Sequence, residues 1–395
     1  MDEDEFKARF NTKSVFRKAS SLDLSYVPEK LLCRDEELNT LIFNFKRILE
    51  EEEQPAINLL VLGRGGTGKT VTVRYFGRNF RNIAIEHNPN FFVEYFDCIN
   101  FRSKSKIIRE LLAKHNYGSG RGFSDDEALK QILAKLNREN GYMMLIIDEV
   151  HMLKPDDVLA ILNIAETFGH QNAKISIILI SRGQDWMRIE NEKILSRINE
   201  KIKLEPYNFE QAFKILKYRS DVAFKEDVFS EEILEMVSQI VVEHKNMRHG
   251  IEILRKSGLY ADKEGLNWIN ADIVREASNE VYPTFRGDII DQLKDHELFA
   301  LAGIARSFIN QEEPYTLVDD AYENYQAICE SYGKRAHVKM SFRKYMRQLR
   351  ELKVIATKTV RIDENKRGRH LKITLLDIPA KKLMEYLQEL FERKF

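Results

Sequence analysis

The stretch that decides how the chain is read is Ile57-Asn58-Leu59-Leu60-Val61-Leu62-Gly63-Arg64-Gly65-Gly66-Thr67-Gly68-Lys69-Thr70. Residues 57–62 have the length and apolar content of a buried strand, and residues 63–70 match G-x-x-x-x-G-K-[S/T] at every fixed position. In such a loop the glycines let the backbone curl so that successive N–H groups point at phosphate oxygens. The helix that follows adds the positive end of its dipole. Lys69 is expected to reach the β- and γ-phosphates and the Thr70 hydroxyl to ligate Mg²⁺, with Gly63, Gly65, Gly66, Thr67, Gly68 and Val71 lining the site. The plain alternative is a glycine-rich strand-to-helix turn, and the strand directly before the loop argues against it.

A phosphate loop needs a carboxylate to hold the metal, and Asp148-Glu149 closes the most apolar run of the chain, MMLIID at 143–148. Asp148 is expected to bind Mg²⁺ through water, and Glu149 to polarise the attacking water as a general base. Acid pairs after strands are common. This one gains force from standing about 80 residues beyond a complete phosphate loop.

Further strand-like runs are FFVEYF (91–96), ISIILI (175–180) and KIKL (201–204), and the segments between them carry helical periodicity. Residues 36–50 read as one helix with Leu38, Leu41, Ile42, Phe45 and Ile48 on one face. From Tyr207 to about Tyr282 the strand signal disappears and helical patterns dominate. Beyond about Phe285 come helices and then two strand-like runs, 354–362 and 371–378, joined by the polar DENKRGRH. The expected architecture has three parts. The first (1–205) is an α/β P-loop domain, a parallel sheet flanked by helices, with a short N-terminal arm. An all-helical unit (206–284) and a winged-helix domain (285–395) follow.

Composition narrows the function classes. In 395 residues, 62 Lys and Arg balance 62 Asp and Glu, and 43% are apolar. That excludes a disordered chain and a disulfide-stapled mini-fold, and leaves any attraction to polyanions to local segregation of charge. Cys33, Cys98 and Cys329 have no metal-binding spacing, and no apolar run reaches the roughly 18 residues of a membrane span. An intracellular protein with no membrane partner is expected.

Charge is segregated at two places. Residues 334–372 hold fourteen Lys and Arg against three acids, a local excess of +11. On VKMSFRKYMRQLREL (338–352), Lys339, Arg343, Arg347 and Arg350 share one helical face, with Ser341 near its start, and Phe342, Tyr345, Met346 and Leu349 form the opposite, buried stripe. Lys366, Arg367, Gly368 and Arg369 fall at the tip of the strand pair. A helix in the major groove of double-stranded DNA with a basic wing beside it fits this arrangement; a solvated basic face is the alternative. The second place is 101–124, with six cations against one acid, where Arg102, Lys104 and Lys106 are the candidate DNA contacts.

The order of phosphate loop, acidic strand end, further strand and helical unit resembles the AAA+ ATPases. The segments Ser14-Val15-Phe16, Tyr26-Val27-Pro28, Arg34-Asp35-Glu36-Glu37, Glu205-Pro206-Tyr207 and Met247-Arg248 narrow it. Over essentially the whole chain they resemble the archaeal origin-recognition and cell-division-control replication initiators. That resemblance implies that Val27 and Pro28 border the adenine of ATP or ADP, with Tyr207 and Arg219 closing the base side from the lid. It implies that Arg248 is the lid arginine called sensor 2, that Arg197 is an arginine finger for a neighbour's nucleotide, and that residues 101–124 form a DNA-pressing insertion. It further implies a cytoplasmic, nucleoid-associated replication-origin binder whose partners are paralogous initiator subunits and the replicative helicase. The family usually places an asparagine, sensor 1, where Ser181-Arg182-Gly183-Gln184 stands here, so ATP is expected to act mainly as a conformational switch with weak ATPase activity. A clamp-loader-like motor and a transcriptional regulator with a vestigial ATPase are the competing readings.

Overall fold

A computed structural model describes residues 14–50, 56–115, 123–164, 174–281, 287–309, 313–363, 366–376 and 378–395, with backbone alone at 287–288, 360–363 and 366–369. The chain divides into two compact units, Ser25–Pro206 and Tyr207–Phe395, the latter joined by the N-terminal residues up to Leu24.

In the first unit, helix α1 (Asp35–Phe45) precedes strand β1 (Asn58–Gly63), which runs through the phosphate loop into α2 (Lys69–His87). Then follow β2 (Phe91–Asp97), α3 (Lys104–Lys114), α4 (Asp125–Arg138), β3 (Tyr142–Asp148), α5 (Pro155–Leu162), β4 (Ile175–Ser181) and β5 (Glu200–Leu204). The five strands are parallel in the order β2-β3-β4-β1-β5. Their near-continuous apolar character follows from burial on both faces, because side chains alternate between two cores. Leu60, Met143, Leu145, Ile147, Ile177 and Leu179 meet the α3–α5 side, while Leu59, Val61, Met144, Ile146, Ile178 and Ile180 meet Leu41, Phe45, Val73 and Phe76 of α1 and α2.

The segment expected as one helix over 36–50 is two, α1 and a short turn Arg47–Glu50. Leu41, Phe45 and Ile48 are buried as expected, but Ile42 is 49% exposed. One residue past Leu41 is 100° further round the helix, so the contact face carries one and turns the other outward.

The second unit opens with the lid helices α6 (Phe209–Ala223), α7 (Glu231–His244), α8 (Met247–Glu264) and α9 (Ala271–Val281). A winged helix follows: α10 (Asp295–Ser307), β6 (Thr316–Leu317), α11 (Val318–Ser331), α12 (Lys339–Glu351), β7 (Ile355–Asp363), β8 (Lys366–Leu375) and α13 (Ala380–Lys394). Its sheet has the order β6-β8-β7, antiparallel throughout. The two-residue β6 carries no pattern a sequence reading could detect.

The described part of the N-terminal arm, grouped with the α/β domain on sequence, packs instead in this second unit. Ser14 Oγ donates to Asp262 Oδ2 at 2.6 Å, Val15 N–H donates to Asp262 Oδ1 at 2.7 Å, and the Phe16 ring stacks on Phe224 at 4.8 Å. Gly258 makes this possible, since a Cβ there would lie 2.3 Å from the Phe16 ring. Lid and winged helix are braced by Lys358 of β7, which pairs with Glu235 of α7 at 2.7 Å, and by Arg275 of α9, 1% exposed, stacked over Phe308 at 4.5 Å.

Candidate nucleotide site and nucleic-acid interface

The first candidate site is assembled at the C-terminal ends of β1, β3 and β4, where open α/β sheets place their ligands. Gly66 (φ +74°) and Gly68 (φ +87°) take left-handed backbone that lets the loop curl, and at Gly63 a Cβ would lie 2.7 Å from both the Leu204 carbonyl oxygen and Thr67 Oγ1. Lys69 is buried, its Nζ donating to the Gly63 and Arg64 carbonyls at 2.9 and 2.8 Å. Thr67 Oγ1 donates to the Arg64 carbonyl at 2.9 Å.

Thr70 at the first turn of α2 and Asp148 at the end of β3 meet, with Thr70 Oγ1 donating to Asp148 Oδ2 at 2.6 Å. The Tyr95 hydroxyl donates to the same oxygen at 2.9 Å, and the Glu149 N–H donates to Oδ1 at 2.8 Å. Burial, then the charge of Asp148, raises the Tyr95 phenol far above its ordinary range, so it stays a donor. The Cys98 thiol is pushed up to about 12 by burial and then by the charges of Asp97, Asp148 and Glu149. Hydroxyl and carboxylate oxygens brought together in this way are the donor set a hard divalent cation takes, so the residues present fit Mg²⁺.

Several side chains support the loop in ways the sequence reading did not assign. Buried Arg34 donates through Nη2 to the Thr67 and Glu205 carbonyls at 2.8 and 2.7 Å, and through Nη1 to Glu37 at 2.9 Å. It ties the phosphate loop to the segment after β5. Arg78 of α2 donates to the Val27 and Pro28 carbonyls at 3.3 and 2.7 Å, and Arg74 to the Ser25 carbonyl at 2.9 Å, so the expected adenine border is fastened to the helix that follows the loop. Val71 lies half-buried on the same helix. Arg197, half-buried before β5, donates to the Lys193 carbonyl at 3.1 Å.

The lid residues belong to the second unit. Arg219 is buried on α6 and donates to the Ser21 carbonyl, and Tyr207 is 7% exposed. Arg248 is exposed in the first turn of α8, whose cap is the Asn246 side chain accepting from the Arg248 N–H at 3.1 Å.

In the winged helix, α12 buries Phe342, Met346 and Leu349, while Tyr345 is half-buried and bonded to His337 at 2.5 Å. Arg343, Lys344, Arg347 and Arg350 are exposed and make no ion pair among the described residues. Arg343, Arg347 and Arg350 line a cleft of about 390 Å³ between α12 and β7, together with Thr357 and Thr359. Lys339 is different, because it pairs with Asp319 of α11. Ser341 is half-buried in the first turn. The side chains of Lys366, Arg367 and Arg369, with Gly368, lie outside the described residues; their backbone opens β8.

The 101–124 segment is likewise only partly available. Arg102 and Lys106 are exposed, but Lys104 lies 4.0 Å from both Asp125 and Asp126, and Lys114 pairs with Glu94 at 2.9 Å. Arg121 lies outside the described residues.

Three family models match the chain in succession: an AAA domain over 53–184, a Cdc6 AAA+ ATPase-type lid domain over 213–279, and a CDC6 C-terminal winged helix domain over 288–385. The chain belongs to the Cdc6/ORC1-type replication-protein family. Its similarity to fellow members extends over nearly the whole length. "ORC1-type DNA replication protein 2" of Saccharolobus solfataricus is 28% identical over 390 residues, covering 95% of this chain and 94% of that one. The crystal structure of Cdc6p from Pyrobaculum aerophilum superposes with a TM-score of 0.87 at 26% identity, covering 96% of this chain and all of that one. The ORC1 protein of Aeropyrum pernix, solved in complex with DNA, shares the fold with a TM-score of 0.60 at 19% identity, covering 97% of this chain and all of that one. No helix among the described residues is long and apolar enough to cross a membrane.

Proposed function

We propose that this family member is an ATP-dependent, origin-binding DNA replication initiator in which nucleotide acts mainly as a conformational ligand. One observation carries the reading. A single chain joins a phosphate loop whose metal-side oxygens already touch, Thr70 to Asp148 at 2.6 Å, to a winged helix whose α12 presents unpaired arginines.

The loop supplies backbone N–H groups and the Lys69 ammonium to the phosphates of ATP or ADP. Thr70 and Asp148 would hold Mg²⁺, which would supply charge neutralisation of the phosphate oxygens. Glu149 accepts a proton from the attacking water. Val27, Pro28, Tyr207 and Arg219 are assigned to the base, Arg248 to the γ-phosphate and lid angle, and Arg197 to a neighbour's nucleotide. With Arg182 standing where sensor 1 would be, hydrolysis is slow, and the switch runs on binding.

Double-stranded DNA is held by α12 and the wing, with Arg102 and Lys106 of the insertion adding phosphate contacts. Paralogous initiator subunits and the replicative helicase are the proposed protein partners, at the nucleoid of the cytoplasm. Genome-wide footprinting of the purified protein with and without ATP tests this. Protection clustered at replication origins and altered by ATP is expected, whereas protection confined to promoters and indifferent to ATP would establish the transcriptional-regulator reading in its place.

A further inference from the structure

Glu149 stands in left-handed backbone (φ +49°), a conformation that is costly for a residue with a Cβ and that turns the chain sharply as β3 ends. The short 3-10 turn Val150–Met152 follows and folds His151 back beside Glu149 and against the end of β4. Four groups converge there. His151 Nδ1 is 3.1 Å from Ser181 Oγ, and Nε2 is 3.3 Å from Arg182 Nη2, 3.4 Å from Glu149 Oε2 and 3.7 Å from Asp185 Oδ2. Arg182 Nε lies 2.8 Å from Asp185 Oδ2 and 3.8 Å from Glu149 Oε2.

For a neutral ring, the contacts of this cluster select one tautomer. A guanidinium can only donate, so the contact from Arg182 Nη2 requires His151 Nε2 to be an acceptor. The neutral ring then carries its proton on Nδ1 and donates it to Ser181 Oγ, which in turn donates to the Arg182 carbonyl at 3.2 Å. A ring in this tautomer has no proton to offer Glu149. Accordingly Glu149 Oε2 is buried with no hydrogen-bond donor among the described residues, although two basic side chains stand within 4 Å of it.

We infer that His151 is a positioning residue for hydrolysis: with Asp185 it keeps the Arg182 guanidinium at 3.8 Å from Glu149 Oε2, short of a hydrogen bond, which leaves the Glu149 carboxylate available as the base. Without the imidazole, Asp185 is left, among the described residues, to restrain Arg182 from closing the remaining distance and hydrogen-bonding Glu149, which quenches the base. The inference deepens the nucleotide-site reading and rests on it, and it makes His151 and Arg182 act as a pair.

Two measurements on the full chain test it. In nucleotide-free protein labelled with ¹⁵N-histidine, the His151 resonances, assigned by their loss in His151→Gln, should report the Nδ1–H tautomer. An Nε2–H ring would overturn the inference. Single-turnover hydrolysis of MgATP is then compared in wild type, His151→Ala, Arg182→Asn and the double variant, with nucleotide affinity measured alongside. His151→Ala should slow hydrolysis at least tenfold with affinity changed less than threefold, and the same substitution in the Arg182→Asn background should change the rate less than threefold. An equal slowing in both backgrounds, or none in wild type, would show that His151 does not act through Arg182. Failure of the underlying reading looks different: wild-type protein would then bind no nucleotide, whatever the tautomer of His151.

Discussion

The candidate nucleotide site and the basic helix α12 are both rich in cations, but those cations are held in opposite ways. At the sheet edge Lys69 and Arg34 are buried and held by neighbouring carbonyls and, for Arg34, by the Glu37 carboxylate; on α12, Arg343 and Arg347 extend from the surface with no partner among the described residues. The first arrangement fixes geometry before a ligand arrives. The second supplies charge and leaves geometry to be set by the partner. A single small ligand suits the former, and a long polyanion with variable groove shape suits the latter.

The largest effect is expected where geometry is fixed. Lys69→Ala should abolish binding of both ATP and ADP while the protein remains folded, because no neutral side chain replaces a point charge among phosphates. Calorimetry on the folded variant checks this, and unchanged affinity would sink the phosphate-loop assignment. On α12 the expected losses are graded. Arg343→Ala or Arg347→Ala should remove about 1–3 kcal/mol of discrimination between cognate and unrelated duplex, the value of one good bidentate contact to a base edge. Competition binding with both duplexes measures it.

Smaller differences separate free from committed cations. Lys106→Ala should flatten the slope of log affinity against log salt by about one. Lys104→Ala and Lys339→Ala should change that slope less, since Lys104 lies near Asp125 and Asp126 and Lys339 is paired with Asp319. Equal slopes for all three would mean that the internal pairs open on binding. The smallest effect concerns Cys98. With its thiol raised to about 12 by burial and nearby carboxylates, it should resist alkylation in native protein at pH 9, while an unfolded thiol reacts. Because the folded value lies above the unfolded one, this group's contribution to stability is fully present below about pH 9 and is lost as pH rises toward 12. Urea midpoints compared between pH 8 and pH 11 in wild type and Cys98→Ala check the sign.

This contrast also explains what could be read from the sequence. Strand, loop and helix at 57–70 impose positions on Gly63, Lys69 and Thr70 through backbone geometry alone, so a motif sufficed to place them. Asp148 was singled out the same way, and it accepts a hydrogen bond from Thr70. The basic segments were legible only as sums of charge. A count cannot tell that Lys358 braces the lid through Glu235, or that Lys114 is spent on Glu94, because those partners lie more than one hundred residues away in the first case and twenty in the second. Arg34 and His151 were missed as functional supports for a related reason. Their roles depend on carbonyls and carboxylates brought to them by tertiary packing, and His151 in particular is turned toward Glu149 by one backbone conformation that no residue pattern announces. The N-terminal arm was assigned by proximity in sequence, but Asp262 and Phe224 captured it.

That capture bears on how the protein is made. Ser14 and Asp262 are 248 positions apart, yet the sheet of the first unit draws all its strands from residues between them. At a synthesis rate of ~5–20 residues per second, roughly 12–50 s separate the emergence of the two partners from the ribosome. The Ser25–Pro206 unit can complete its folding in that interval, while the arm must wait, unpaired, for a helix not yet translated. Biogenesis therefore runs in an order opposite to the reading of the chain: its first described residues are among the last to find their place.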